Sequence, residues 1–137
     1  MIRVVIDTNV LVSGLLSPRG NEALILLAVN QGFVRPCLST AILKEYTEVL
    51  ARPKFGFAPD ELSAVMGMFR DKGNVVDPAG DVPGLPDPSD AIFILCAAAA
   101  QADYLVTGNK RHFPPQACGA VRVVNAAELL DWITLEI

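Results

Sequence analysis

The sequence predicts an α/β fold, a small parallel sheet wrapped by helices, and three observations carry that prediction. Short β-branched apolar runs alternate with helix-length segments along the chain, the pattern of parallel strands joined by right-handed helical crossovers. At 137 residues and 52% hydrophobic, the chain is far too apolar for disorder and can bury roughly 68% of its unfolded surface. It has no internal repeat and no low-complexity tract, so residues 1–137 are expected to form a single domain.

Ile2-Arg3-Val4-Val5-Ile6 reads as a buried strand that stops abruptly at Asp7-Thr8-Asn9. Leu11 to Leu16 is a short helix, Ser17-Pro18-Arg19-Gly20 a turn, and Glu22 to Gln31 a second helix closed by Gly32. Phe33 to Cys37 is the next strand. Ser39 or Thr40 caps a helix that runs to about Ala51, where Arg52-Pro53 ends it. Pro59-Asp60 opens another, to about Lys72-Gly73, and Asn74 to Val76 is a third short strand. Asp77 to Pro88 carries four prolines and two glycines and is a loop, not a linker, since neither flank could form a core alone. Asp87-Pro88-Ser89-Asp90 launches a helix to about Ala102, and Asp103 to Thr107 returns as a strand. Gly108 to Gly119 is a loop with two prolines, Val121 to Val124 the last strand, and Asn125 caps a final amphipathic helix containing Leu129, Leu130 and Trp132.

Composition narrows the function. The longest apolar run, Ala91 to Ala100, is about half of the roughly 20 residues that cross a bilayer, and neither a membrane span nor a signal peptide is expected. Cys37, Cys96 and Cys118 are odd in number and widely spaced, which suits core or loop thiols in a reducing cytoplasm. A net charge of -4 argues against simple electrostatic capture of nucleic acid. It is compatible with phosphodiester chemistry through divalent metals, because that chemistry needs clustered carboxylates.

Ligands of an open parallel sheet bind beyond the carboxyl ends of its strands, and this filters the acidic residues. Asp7 ends the first strand and Asn109 lies just past Thr107, so both belong to that edge, whereas Asp103 begins its strand and belongs to the opposite one. At about 100° per residue, Ile42, Leu43, Tyr46, Val49 and Leu50 form one apolar arc, with Lys44 and Glu48 pointing away and Glu45 on the border. Asp90 sits in the first turn of the most apolar helix. Each residue also has an ordinary structural reading. Asp87, Pro88 and Asp90 make a helix-capping arrangement, Asp7-Thr8-Asn9 can cap the next helix, and Glu45 can be a solvated edge residue.

The order of these segments resembles the PIN domain. The most specific parts are Val5-Ile6-Asp7-Thr8-Asn9-Val10 and Asp103-Tyr104-Leu105-Val106-Thr107-Gly108-Asn109-Lys110, and the resemblance spans Ile2 to about Val124. Asp87-Pro88-Ser89-Asp90 and Arg52-Pro53-Lys54-Phe55 are also similar to the VapC-type toxins of toxin-antitoxin pairs. The resemblance implies a three-layer α/β/α sandwich of the 5′-nuclease-like kind. It implies a Mg²⁺- or Mn²⁺-dependent endoribonuclease leaving 5′-phosphates, with Asp7, Glu45 and Asp90 as metal ligands and catalytic residues and Asn109 in the fourth place. Many relatives have Asp there, so this site lacks one negative charge. Asp87, one helical turn from Asp90, can partly substitute, and His112-Phe113 stands where relatives often show Asp-Phe.

Physical chemistry agrees with this assignment. Like charges 4 Å apart repel by about 4 kcal/mol at an effective dielectric near 20, so clustered carboxylates call for a cation. Oxygen ligands select Mg²⁺ or Mn²⁺, and without a cysteine-histidine cluster zinc is disfavoured. Thr8, Asn9 and Thr107 either hold the carboxylates by hydrogen bonds or serve as turn and cap residues. Lys110, Arg111 and His112 are the candidate phosphate contacts, with Arg19 and Lys44 weaker ones; a solvated charge run is the plainer reading.

The partners implied are an RNA substrate, a cognate antitoxin covering the active-site groove, and a second copy in a homodimer. The stripe Leu62, Val65, Met66 and Phe69 is either a contact surface or plain core. A Gly-x-Gly-x-x-Gly turn and a P-loop are both missing, so no nucleotide cofactor is expected, and Asn9 replaces the second acid that an aspartyl phosphatase wants. Two alternatives share the fold, a housekeeping RNA-processing nuclease and a non-catalytic PIN-like binding module.

Overall fold

The computed structural model describes residues 1–136. Strands β1 (Ile2–Ile6), β2 (Val34–Leu38), β3 (Asn74–Val75), β4 (Tyr104–Val106) and β5 (Arg122–Val124) form one sheet in the order β3-β2-β1-β4-β5. Every pairing is parallel, with Val4 opposite both Pro36 and Tyr104. Helices α1 (Thr8–Leu16), α2 (Asn21–Asn30), α3 (Thr40–Leu50), α4 (Pro59–Lys72), α5 (Ala91–Ala100), α6 (Pro115–Cys118) and α7 (Ala126–Glu136) cover both faces, giving the three α/β/α layers expected.

Burial explains the central strands. Val4, Val5 and Ile6 of β1 and Leu105 and Val106 of β4 are buried, as continuous apolar runs must be where helices cover a parallel sheet on both sides. Helix α5 packs against β1, β2 and β4, and its Phe93, Cys96 and Ala97 are buried. In α3 the apolar arc behaves as its spacing requires: Ile42, Tyr46 and Leu50 are buried, Leu43, Val49 and Glu45 half-buried, Lys44 and Glu48 exposed. Ser39 is the residue that caps α3, its hydroxyl accepting the Ile42 amide at 3.2 Å. Asn125 and Glu128 cap α7 reciprocally, each side chain accepting the other's amide, at 2.8 and 3.0 Å. All three cysteines are free and buried, and burial raises the Cys37 thiol to about 11 and Cys96 to about 12.

Several boundaries differ from the sequence expectation, each for a local reason. Helix α1 begins at Thr8, not Leu11, because the Asp7 carbonyl accepts the Val10 amide at 2.9 Å and starts the first turn within the polar triplet. The expected helix from Asp87 opens as a 3-10 turn, Pro88–Asp90, and α5 stops at Ala100, where Gln101 adopts a left-handed backbone with φ 53°. Asp103 flanks β4 without joining it. Lys110–His112 forms a 3-10 turn and α6 a single turn within the segment expected to be loop, the latter with Pro115 at its first position. The stripe on α4 is core: Met66 and Phe69 are buried, and Leu62 and Val65 pack half-buried against the same cluster. Among the described residues no single helix is long and apolar enough to cross a membrane.

Candidate metal centre

The strand order fixes where a site can form. From β1 the chain moves outward to β2 and β3, then returns to β4 on the other side of β1, so the order reverses between β1 and β4. A crevice opens at the carboxyl ends of two such strands. Asp7 follows β1 and Thr107 follows β4, and the ladder continues between them, with the Asp7 amide donating to the Val106 carbonyl at 3.0 Å.

Asp7 is 6% exposed and Asp90 9% exposed, very low for carboxylates without an arginine or lysine partner. Asp7 occupies the N-cap position of α1, yet its side chain makes no cap hydrogen bond. Instead its Oδ2 accepts the Thr107 hydroxyl at 2.8 Å, and the same hydroxyl oxygen accepts the Asn109 amide at 3.0 Å. The Thr8 hydroxyl donates to Glu45 Oε2, so the residue after Asp7 positions the carboxylate brought in by α3. One residue along α3, the buried Tyr46 hydroxyl donates to the carbonyl of Ile6, just before Asp7. The tyrosine's place on the apolar arc does not reveal this support; a hydroxyl on an otherwise apolar face is the one signal of it in the sequence.

Asp90 enters from the 3-10 turn ahead of α5. Its Oδ2 is buried and has no hydrogen-bond partner, although His112 Nδ1 lies 3.1 Å away. The two atoms are close, but their orientation does not make a hydrogen bond. Asp87 Oδ1 caps its own turn, accepting the Ser89 amide at 3.0 Å and the Ser89 hydroxyl at 2.7 Å, and these bonds hold its carboxyl below the ordinary range. One ligand atom each from Asp87, Asp90 and His112 fall within 4.8 Å of one another. The sequence groups His112 with the phosphate-contacting cations, whereas the structure sets its ring among the carboxylates.

Asp7 and Glu45 are not in that close group, but their charges act on it. Burial raises the Asp7 carboxyl, while the Thr107 hydroxyl and the amides of Thr8 and Asn9 pull it back down. Asp90 is raised to about 6, first by burial and then by the charges of Asp7 and Asp87, with a smaller contribution from Glu45 and an opposing one from His112. Asp7, Glu45, Asp87, Asp90 and His112 therefore share one electrostatic neighbourhood.

The remaining candidates lie around it. Asn109 and Asn9 are exposed. Lys110 pairs with Glu128 at 2.5 Å, and Arg111 and Arg19 are exposed. Asp103, at the opposite edge, accepts the Arg3 amide at 2.9 Å, a structural contact as its position suggested. A hollow of about 690 Å³ also opens at that opposite edge, beside Asp103, Tyr104 and Arg122, and takes in none of the converging residues. The converging donors suit a hard divalent cation: they are mostly carboxylate oxygens, partly desolvated, and one of them is buried without a hydrogen bond.

Comparison with known proteins gives two findings. The family model described as PIN domain matches residues 3–111. The fold is similar to a chain in the crystal structure of VapBC2 from Rickettsia felis bound to a DNA fragment from their promoter, with a TM-score of 0.60 and 14% identity, covering 90% of this chain and 98% of that one. No curated protein matches the sequence.

Proposed function

The chain belongs to the PIN domain family, and on that premise we propose that it is a Mg²⁺- or Mn²⁺-dependent endoribonuclease acting as the toxin of a type II toxin-antitoxin pair. The observation that carries the proposal is a pair of buried carboxylates: Asp7, at the point where the strand order reverses, and Asp90, raised to about 6 by its burial and then by the charge of Asp7. Asp7, Glu45 and Asp90 would hold the ion, with the exposed Asn109 the family's fourth position beside them. A divalent cation bound there would supply Lewis-acid polarisation of the scissile phosphodiester and would stabilise its developing charge.

The chain's own residues do the rest by positioning. Thr107 fixes Asp7, Thr8 fixes Glu45, and the turn capped by Asp87 delivers Asp90. Exposed Arg111 and Arg19, with Lys110 beside Glu128, supply the positive charge for flanking phosphates. An antitoxin partner is supported by the similarity to a chain of the VapBC2 complex. We place the protein in the cytoplasm, with homodimerisation as its own assembly.

The test is cleavage of a structured and a single-stranded RNA by purified protein with Mn²⁺, Mg²⁺ or EDTA, with Asp7→Asn alongside. Metal-dependent cutting that disappears in the variant is the expected result. Equal background in both proteins sinks the nuclease reading.

A further inference from the structure

The ring of His112 reaches the carboxylates by a route the sequence alone does not display. Asn109 opens the 3-10 turn Lys110–His112, its carbonyl accepting the His112 amide at 3.2 Å, and this single turn folds the ring back against Asp90. Asn109 itself stays exposed, its backbone amide donating to Thr107 and its carbonyl accepting from His112. The residue nominally in the fourth ligand place is thus outside the buried group, and the histidine three positions later is against it.

His112 Nδ1 and Asp90 Oδ2 are close enough to pair when the ring is protonated, and the same spacing suits two ligands of one ion when it is neutral. Nδ1 and Oδ2 are 3.1 Å apart, and no hydrogen bond is made to that Oδ2. Asp90 is 9% exposed, and that Oδ2 is the buried polar side-chain atom left without a partner among the described residues. Two ligands about 2.1 Å from one ion, at right angles, stand about 3.0 Å apart, so the spacing matches one edge of an octahedron. Asp87 adds a third donor within the same 4.8 Å.

We infer that His112 is a metal ligand of this centre, its imidazole nitrogen joining Asp90 and Asp87, and that the nitrogen donor makes the site prefer Mn²⁺ to Mg²⁺. The inference rests on the metal-dependent reading above. Imidazole is a softer donor than carboxylate or water oxygen, and Mg²⁺ gains least from it among the divalent ions of this size. An all-oxygen site would discriminate less.

Pulsed electron paramagnetic resonance of the Mn²⁺-loaded protein tests this without any turnover, because a coordinated imidazole gives the ion a nitrogen hyperfine coupling. The wild type is expected to show that coupling, and His112→Ala to lose it. In parallel calorimetry, His112→Ala should weaken Mn²⁺ binding by about tenfold or more while Mg²⁺ changes by less than about threefold. His112→Asp should regain affinity without the Mn²⁺ preference. Bound Mn²⁺ that shows no nitrogen coupling, with affinity unchanged in His112→Ala but lost in Asp7→Asn, overturns the inference and leaves the carboxylate centre standing. A wild type that takes up no Mn²⁺ overturns both.

Discussion

Burying Asp7 and Asp90 in one neighbourhood opposes folding unless a cation or a proton is supplied. The sign of the pH dependence follows from Asp90. Its carboxyl is raised from 3.8 to about 6, so the folded chain binds that proton more tightly than the unfolded one. The stabilisation is fully present below 3.8 and is lost as pH rises through about 6. Thermal melts of metal-free protein should therefore show the Asp90 contribution declining across that interval. Asp90→Asn should flatten the decline and melt higher than wild type at neutral pH without metal; an equal or lower melting temperature there contradicts the assignment. Thr107 acts on Asp7 directly, so Thr107→Val should cost about 1 kcal/mol in urea unfolding and lower metal affinity by about tenfold.

At the scale of elements, the site depends on how firmly β1 ends. Tyr46 reaches from α3 to the Ile6 carbonyl, and Tyr46→Phe removes that donor from a fully buried position. The expected loss is about 1–3 kcal/mol by chemical denaturation, with weaker Mn²⁺ binding because Asp7 is the next residue. Gly73, between α4 and β3, is a packing constraint: a Cβ there would lie 2.4 Å from the Phe69 carbonyl oxygen and 2.5 Å from Leu38 Cδ1. Gly73→Ala should destabilise by about 1–3 kcal/mol, or more if the backbone cannot shift, with the metal site itself untouched.

These elements also separate what could be read from the chain from what could not. The continuous apolar run of β1, the arc of α3 and the Asn125 cap are set by residues adjacent in sequence or one helical turn apart, and all three were legible. The family pattern also names Asp7, Glu45 and Asp90 as one group, and the structure ties Thr8, the residue after Asp7, to Glu45. The position of His112 was not legible, because it depends on a single 3-10 turn whose direction no periodicity encodes. The Tyr46 contact joins residues forty apart, and the early start of α1 turns on one backbone bond. The stripe on α4 carries the same signal whether it faces solvent or core.

For the whole molecule, the order β3-β2-β1-β4-β5 brings together chain segments that are about a hundred residues apart, with Thr107 donating to Asp7 across that span. An ion held by Asp7, Glu45 and Asp90 would tie α1, α3 and the turn before α5 into one unit. Binding to the folded state alone adds RT ln(1 + [L]/Kd), about 2.7 kcal/mol at a hundredfold excess over Kd. The most direct test is therefore to titrate metal-stripped protein with Mn²⁺ while following its melting temperature, in wild type, Asp7→Asn and Glu45→Gln. A saturable rise of several degrees in wild type, reversed by EDTA and absent in both variants, is the predicted result. No rise in wild type, or the same rise in all three proteins, contradicts a metal centre built on these carboxylates.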